Sequence, residues 1–191
     1  AWRDWYLKDP EAASPLHSRF FKTKPVIEFY DLENDPWQVN NIATDPAQQA
    51  RIASMENKLY EWMVKTRDTS LIPEPMWYDF TGNNNTFKTI YEYAQSKEFP
   101  VAKVLKAAKS ASKGDLALLP KYLEMLSDTN SLVRHWAAYG IFLVRKNTPE
   151  IQETLREVIA TDAYSANRTM AAQALAHCGD PDTAFKALMK E

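Results

Sequence analysis

Three acidic residues alternate at Asp31, Glu33 and Asp35, which is the side-chain chemistry of a calcium-binding loop. Such a loop also needs a glycine at its sixth position and a terminal acidic ligand. Asn40 and Asn41 do not supply that pattern, so the segment reads as a turn with solvated carboxylates. His177 and Cys178 are adjacent and could serve as metal ligands or as a nucleophile with its base. Two neighbouring donors do not make a metal site, and no other histidine or cysteine lies nearby in sequence. Cys178 falls near the end of an apolar helix face, where a free cysteine is commonly buried. Arg134 and Arg168 could grip a polyanion, but each follows an aspartate by six positions, at Asp128 and Asp162. That recurrence favours structural pairing. Trp2, Trp5, Tyr6, Trp37, Trp62, Trp77 and Tyr78 could build a sugar-stacking platform, although Trp and Tyr mainly supply buried area. Asn84-Asn85-Thr86 and Asn167-Arg168-Thr169 match the glycosylation triplet, which matters only in a eukaryotic secretory chain.

Composition removes several function classes. The four glycines, Gly82, Gly114, Gly140 and Gly179, never cluster, so phosphate-cradling loops are ruled out. The first eighty residues carry nine basic and thirteen acidic side chains, and the remainder fourteen and twelve. Neither stretch has the basic excess that nucleic-acid backbones demand, so no nucleic-acid partner is expected. No apolar run approaches the roughly 20 residues that span a bilayer, so no membrane partner is expected. The opening Ala-Trp-Arg-Asp-Trp is no signal peptide, and a chain beginning mid-sequence would show the same absence. Cys178 is the single cysteine, so no intrachain disulfide forms.

The elements that must position these residues follow two grammars. Trp2, Trp5 and Tyr6 share one face of a short helix ended by Pro10. Val26 to Tyr30 is a β-branched and aromatic run that predicts a strand. Asp31 to Pro36 is turn chemistry. Asp45-Pro46 starts a helix, since the aspartate caps free amides and proline loses nothing at the first position. Ile52, Met55, Leu59, Trp62 and Met63 form its apolar stripe, expected to cover the strand. Leu71 to Asn85, with two prolines, a glycine and Asn83 to Asn85, reads as a linker. The expected domains are 1–84 and 85–191. Beyond the linker come helices only, at 101–111, 116–126, 132–144, 151–159, 168–177 and 183–189, separated by brief polar turns.

A repeat is visible in those helices. Asp128 pairs with Asp162, Arg134 with Arg168, and Ala137-Ala138 with Ala171-Ala172, all at an offset of 34. The pattern resembles the HEAT repeat. The alanines let two helices approach closely, and the arginine can reach the turn aspartate of a neighbouring repeat. The fold class is therefore mainly α, with a small α+β part at the N-terminal side and a HEAT-like array of stacked helical hairpins after it.

Glu28 to Ala43 reads E-F-Y-D-L-E-N-D-P-W-Q-V-N-N-I-A. This resembles the C-terminal subdomain of the sulfatase family, in which a strand ending E-L-Y-D leads to a D-P turn, an acidic residue and N-L-A. Gln38 stands where glutamate is usual, and Ile42 where leucine is usual. Trp62 to Glu74, W-M-V-K-T-R-D-T-S-L-I-P-E, resembles the branch akin to heparan N-sulfatase. The resemblance implies an upstream α/β domain holding formylglycine, made from a C/S-x-P-x-R motif, together with calcium. That motif has no match in this chain: Cys178 sits in A-H-C-G-D-P without the arginine. No catalytic or metal-binding residue carries over. His17 and Arg19, just before the expected strand, are the candidates for touching a sulfated sugar in the intact enzyme, where C-terminal loops approach the pocket.

The expected role is the non-catalytic C-terminal portion of a sulfatase, bracing the catalytic domain and shaping substrate access. The parent's implied substrates are sulfated glycans such as glycosaminoglycans, and its implied location is the periplasm or the cell exterior. The alternative is a free-standing module whose helical repeats hold a protein partner.

Overall fold

The structure is a computed structural model that describes residues 2–81 and 87–189. The polypeptide forms two compact units, residues 1–58 and 59–191. They divide inside a single helix. The partition expected from composition runs through residues 82–86, which lie outside the described residues, as does the Asn84 glycosylation triplet.

The first unit begins with α1 (Trp2–Lys8) and α2 (Pro15–Ser18). Ser14 caps α2 by accepting from the His17 amide at 3.3 Å. The aromatic face expected on α1 is real: Tyr6 stacks on Phe21 at 4.2 Å, and Trp2 meets Phe20 and Phe21 edge-on. The expected strand at Val26–Tyr30 does not form, and no strand occurs among the described residues. A strand needs a neighbour to complete its ladder, and this segment has none. In its place Asn41 bridges the gap with its side chain. Its Oδ1 accepts from the Phe29 amide at 2.9 Å, and its Nδ2 donates to the Ile27 carbonyl at 3.3 Å. One main-chain bond, Ile42 N–H to Phe29 C=O at 2.9 Å, completes the pairing. No small α+β part is seen among the described residues; the segment is an extended stretch stitched by an asparagine.

The turn after it forms as expected. Asp31 accepts from the amides of Asn34 and Asp35 through its carbonyl. Asp45 caps the next helix, its Oδ1 accepting from Ala47 N–H at 2.9 Å. A 3-10 turn at Pro46–Gln48 leads into α3 (Gln49–Thr66). The stripe on α3 is only partly covered. Ile52 is buried, but Met55, Leu59 and Trp62 are each more than half exposed. Arg67 ends the helix in the left-handed region at φ 54°, and Asp68 N–H closes back on Met63 C=O at 3.0 Å. This is the αL helix stop that glycine usually provides.

Among its described residues, the second unit has only helices as regular elements. It comprises α4 (Trp77–Thr81), α5 (Phe87–Gln95), α6 (Val101–Ala111), α7 (Leu119–Met125), α8 (Ser131–Val144), α9 (Pro149–Thr161), α10 (Ser165–His177) and α11 (Pro181–Leu188). The six helices expected from periodicity correspond to α6 through α11; α5 was not among them. α8 packs between α6 and α10, α7 lies on α8, and α9 and α11 lie on α10. This packing is consistent with an α-helical repeat array. The paired alanines Ala137, Ala138, Ala171 and Ala172 are fully buried, and their small side chains permit the close approach of α8 to α10. Gly140 serves the same end toward α7, since a Cβ there would stand 3.1 Å from the Tyr122 ring.

The offset of 34 holds at the level of single hydrogen bonds. Asp128 Oδ1 accepts from Asn130 N–H at 2.8 Å, and Asp162 Oδ1 from Tyr164 N–H at 2.9 Å. Arg134 Nη1 donates to Asp128 C=O at 2.8 Å, and Arg168 Nη1 to Asp162 C=O at 2.9 Å. Leu71, Ile72 and Met76 fill a core with residues of α6, α8 and α10, among them Val104, Val133 and Ala166. Trp136 Nε1 fastens this segment by donating to Leu71 C=O at 3.1 Å.

Candidate functional site: a cationic groove with exposed aromatics

A groove of the first unit has a volume of about 740 Å³ and opens between the α2 end, the extended segment and the turn from Asp31 to Asn41. Its lining combines three cations, Arg19, Lys22 and Lys24, with one carboxylate, Glu28. Phe20 and Trp37 flank it, the latter 86 % exposed. A large side chain left that open on a well-tied loop is unusual, because indole surface is normally buried.

The loop that presents Trp37 is held rigidly. Asp35 accepts from Val39 N–H at 3.0 Å and Asn40 N–H at 2.8 Å through its two carboxylate oxygens. Gln38 adopts φ 55° to close the turn. Asp31 is similarly committed, accepting from Glu33 N–H at 3.2 Å and Asn34 Nδ2 at 2.8 Å. The Asn34 side chain and the Glu33 amide hold the Asp31 carboxyl below the usual carboxylate range. These aspartates therefore brace a turn. No cluster of three acidic, histidine or cysteine side chains able to hold a metal occurs among the described residues.

The two sugar-contact candidates part company. Arg19 lines the groove, but its guanidinium is engaged: it donates to Gln38 C=O and Tyr30 Oη and lies 3.4 Å from Glu28. It acts as the strut that joins α2, the extended segment and the Trp37 loop. His17 does not line the groove. Its Nδ1 meets Ser14 Oγ at 3.0 Å, and its ring stands edge-on to Trp2 and Trp5. Lys22 and Lys24 were not singled out in the sequence. The signal was there in Lys22-Thr23-Lys24, since alternation along an extended stretch puts both side chains on one side.

In the second unit, Cys178 is fully buried, and burial pushes its thiol upward from the ordinary value. It is not an accessible nucleophile. Arg134 pairs with Asp162, as recurrence suggested, and Lys103 Nζ meets Asp128 at 2.7 Å. Asn167 is 1 % exposed and donates from Nδ2 to Ser131 C=O at 3.1 Å. Comparisons with protein-family models, curated proteins and solved structures returned no match.

Proposed function

We propose that this chain is the non-catalytic C-terminal portion of a sulfatase, and that its first unit docks against the catalytic domain. The observation that carries the reading is the open edge of Val26–Tyr30. Among the described residues no main-chain hydrogen bond reaches Glu28 or Tyr30. Extended edges of this kind are normally paired or covered. This one lies in the stretch, Glu28 to Ala43, that resembles the sulfatase C-terminal subdomain. Exposed apolar side chains on the same unit, among them Trp2, Trp5, Val26, Ile27 and Leu32, add a surface that asks for a partner. The parent would hydrolyse sulfate esters or N-sulfates of glycans, with calcium and formylglycine supplied upstream.

The second unit is read as a HEAT-like array that stiffens the assembly. The alternative is a free module whose helical repeats grip a protein partner.

The test is the in-frame coding sequence upstream of Ala1, expressed joined to this chain. A C/S-x-P-x-R motif there, with sulfatase or sulfamidase activity in the joined protein and none in the chain alone, is the expected result. A start codon directly before Ala1 would overturn the reading.

A further inference from the structure

We infer that the outward face of α11 is the contact surface for a second copy of this chain, and that two copies pair through it about a two-fold axis. The inference rests on the second unit alone and stands apart from the sulfatase reading.

The other outer helix on α10 shows what is unusual about α11. Both α9 and α11 lie on α10, and both begin in the same way, with proline at the first position. Thr148 caps α9 by accepting from Ile151 N–H at 3.4 Å, and Asp180 caps α11 by accepting from Thr183 N–H at 3.1 Å. The matched caps fix the register between the two helices. In that register Glu153 corresponds to Phe185, Arg156 to Leu188 and Glu157 to Met189. Charged side chains on the outside of α9 are thus replaced by apolar ones on α11. Phe185 is 65 % exposed and Met189 71 %. Standing four residues apart, they share one face of the helix. A repeat array keeps the uncovered outer face of an end helix polar, so an apolar face there is built to be covered.

Charge complementarity selects a second copy as the occupant. Asp182 lies three residues before Phe185, and Lys186 directly follows it. Among the described residues neither enters an ion pair. When a second α11 lies antiparallel, with the two Phe185 rings at the axis, Lys186 of each copy comes within reach of Asp182 of the other. A two-fold axis uses the same patch twice, so the bridge forms twice. A partner surface of one charge sign would instead oppose one of the two groups. The face is about 12 Å long, so the contact is small and the dimer weak, with a Kd on the order of 100 μM.

The test is sedimentation velocity on the whole 191-residue chain, at concentrations up to about ten times that Kd. A monomer–dimer equilibrium is expected. Phe185→Glu should weaken it by about tenfold or more. Asp182→Lys and Lys186→Glu should each do the same alone, because each sets like charges against one another across the axis. Mixing those two variants should restore the dimer, since every facing pair is then again of opposite sign. All three positions are exposed, so the variants keep the parent's circular dichroism and melting temperature, which are measured alongside. The inference is overturned if the parent stays monomeric throughout, if Phe185→Glu associates like the parent, or if the mixed variants do not pair.

Discussion

Arg134 on α8 grips Asp162, the residue that opens the turn into α10, with two hydrogen bonds. Nε meets Oδ2 at 2.7 Å, and Nη2 meets Oδ1 at 3.1 Å. The same guanidinium reaches back to Asp128 C=O, so one side chain joins two successive turns. Asp162 is buried to 3 % side-chain exposure. Burial alone would raise its carboxyl, but Arg134, the Tyr164 amide and Asn167 together hold it below the usual range. Removing the arginine strands a buried carboxylate. Arg134→Ala should therefore cost about 3–5 kcal/mol of stability, measured as the urea midpoint. Arg134→Lys keeps the charge but loses the fork and should recover only part of that. A loss below about 1 kcal/mol for Arg134→Ala would mean the pair is no more than a surface bridge.

The Arg67 side chain holds the turn between α5 and α6 by that turn's main-chain carbonyls. It donates to the carbonyls of Ala94, Ser96 and Phe99, the latter two at 2.6 and 2.5 Å. Ala94 and Phe99 are buried, so water cannot readily replace the guanidinium. Arg67→Ala should destabilise the second unit by about 2–4 kcal/mol, the penalty of unsatisfied buried acceptors. It should also open residues 94–99 to limited proteolysis before the remainder of the chain. Unchanged cleavage there would remove Arg67 from that role.

The two examples show what the sequence made legible. Asp128, Arg134, Asp162 and Arg168 announced themselves because a repeat doubles its own signal, and each helix they anchor was visible from apolar periodicity. Arg67 gave no such notice, since a clamp on main-chain carbonyls needs no particular partner side chain. The strand at Val26–Tyr30 failed for the opposite reason. β-branched and aromatic residues report that a segment suits a sheet, but a ladder also requires a neighbour, and local pattern cannot supply one. The candidate site was half legible: Arg19 and Trp37 were noted, while the pairing of Trp37 with Lys22 and Lys24 depends on how the Asp35 turn folds back.

The triplet Asn167-Arg168-Thr169 should never carry a glycan once the chain has folded. Asn167 is 1 % exposed and its amide nitrogen is bonded to Ser131 C=O and Asp162. A glycan there would have to displace the α8–α10 contact. Chain secreted from a eukaryotic host and analysed by mass spectrometry should show an unmodified peptide at Asn167. An occupied site in folded, monodisperse protein would contradict the buried placement.

His135 makes stability depend on mildly acidic pH. It is buried beside Asn167 and Asp162 at the α8–α10 contact, and its Nδ1 has no hydrogen-bond partner. Burial pushes the imidazole down to about 4 from its ordinary 6.5, against the opposing pull of Asn167 and Asp162. The folded state therefore binds this proton less readily than the unfolded state. Its contribution is fully present above pH 6.5 and is lost as pH falls from 6.5 toward 4. Over that window the loss should be about 3 kcal/mol. Asp128 and Asp162 are held below 3.8 when folded, so their contribution is lost only at lower pH. Urea denaturation at pH 7 and pH 4.5 should show the drop in the parent and a much flatter response in His135→Gln. Equal slopes in the two proteins would show that some other group carries the dependence.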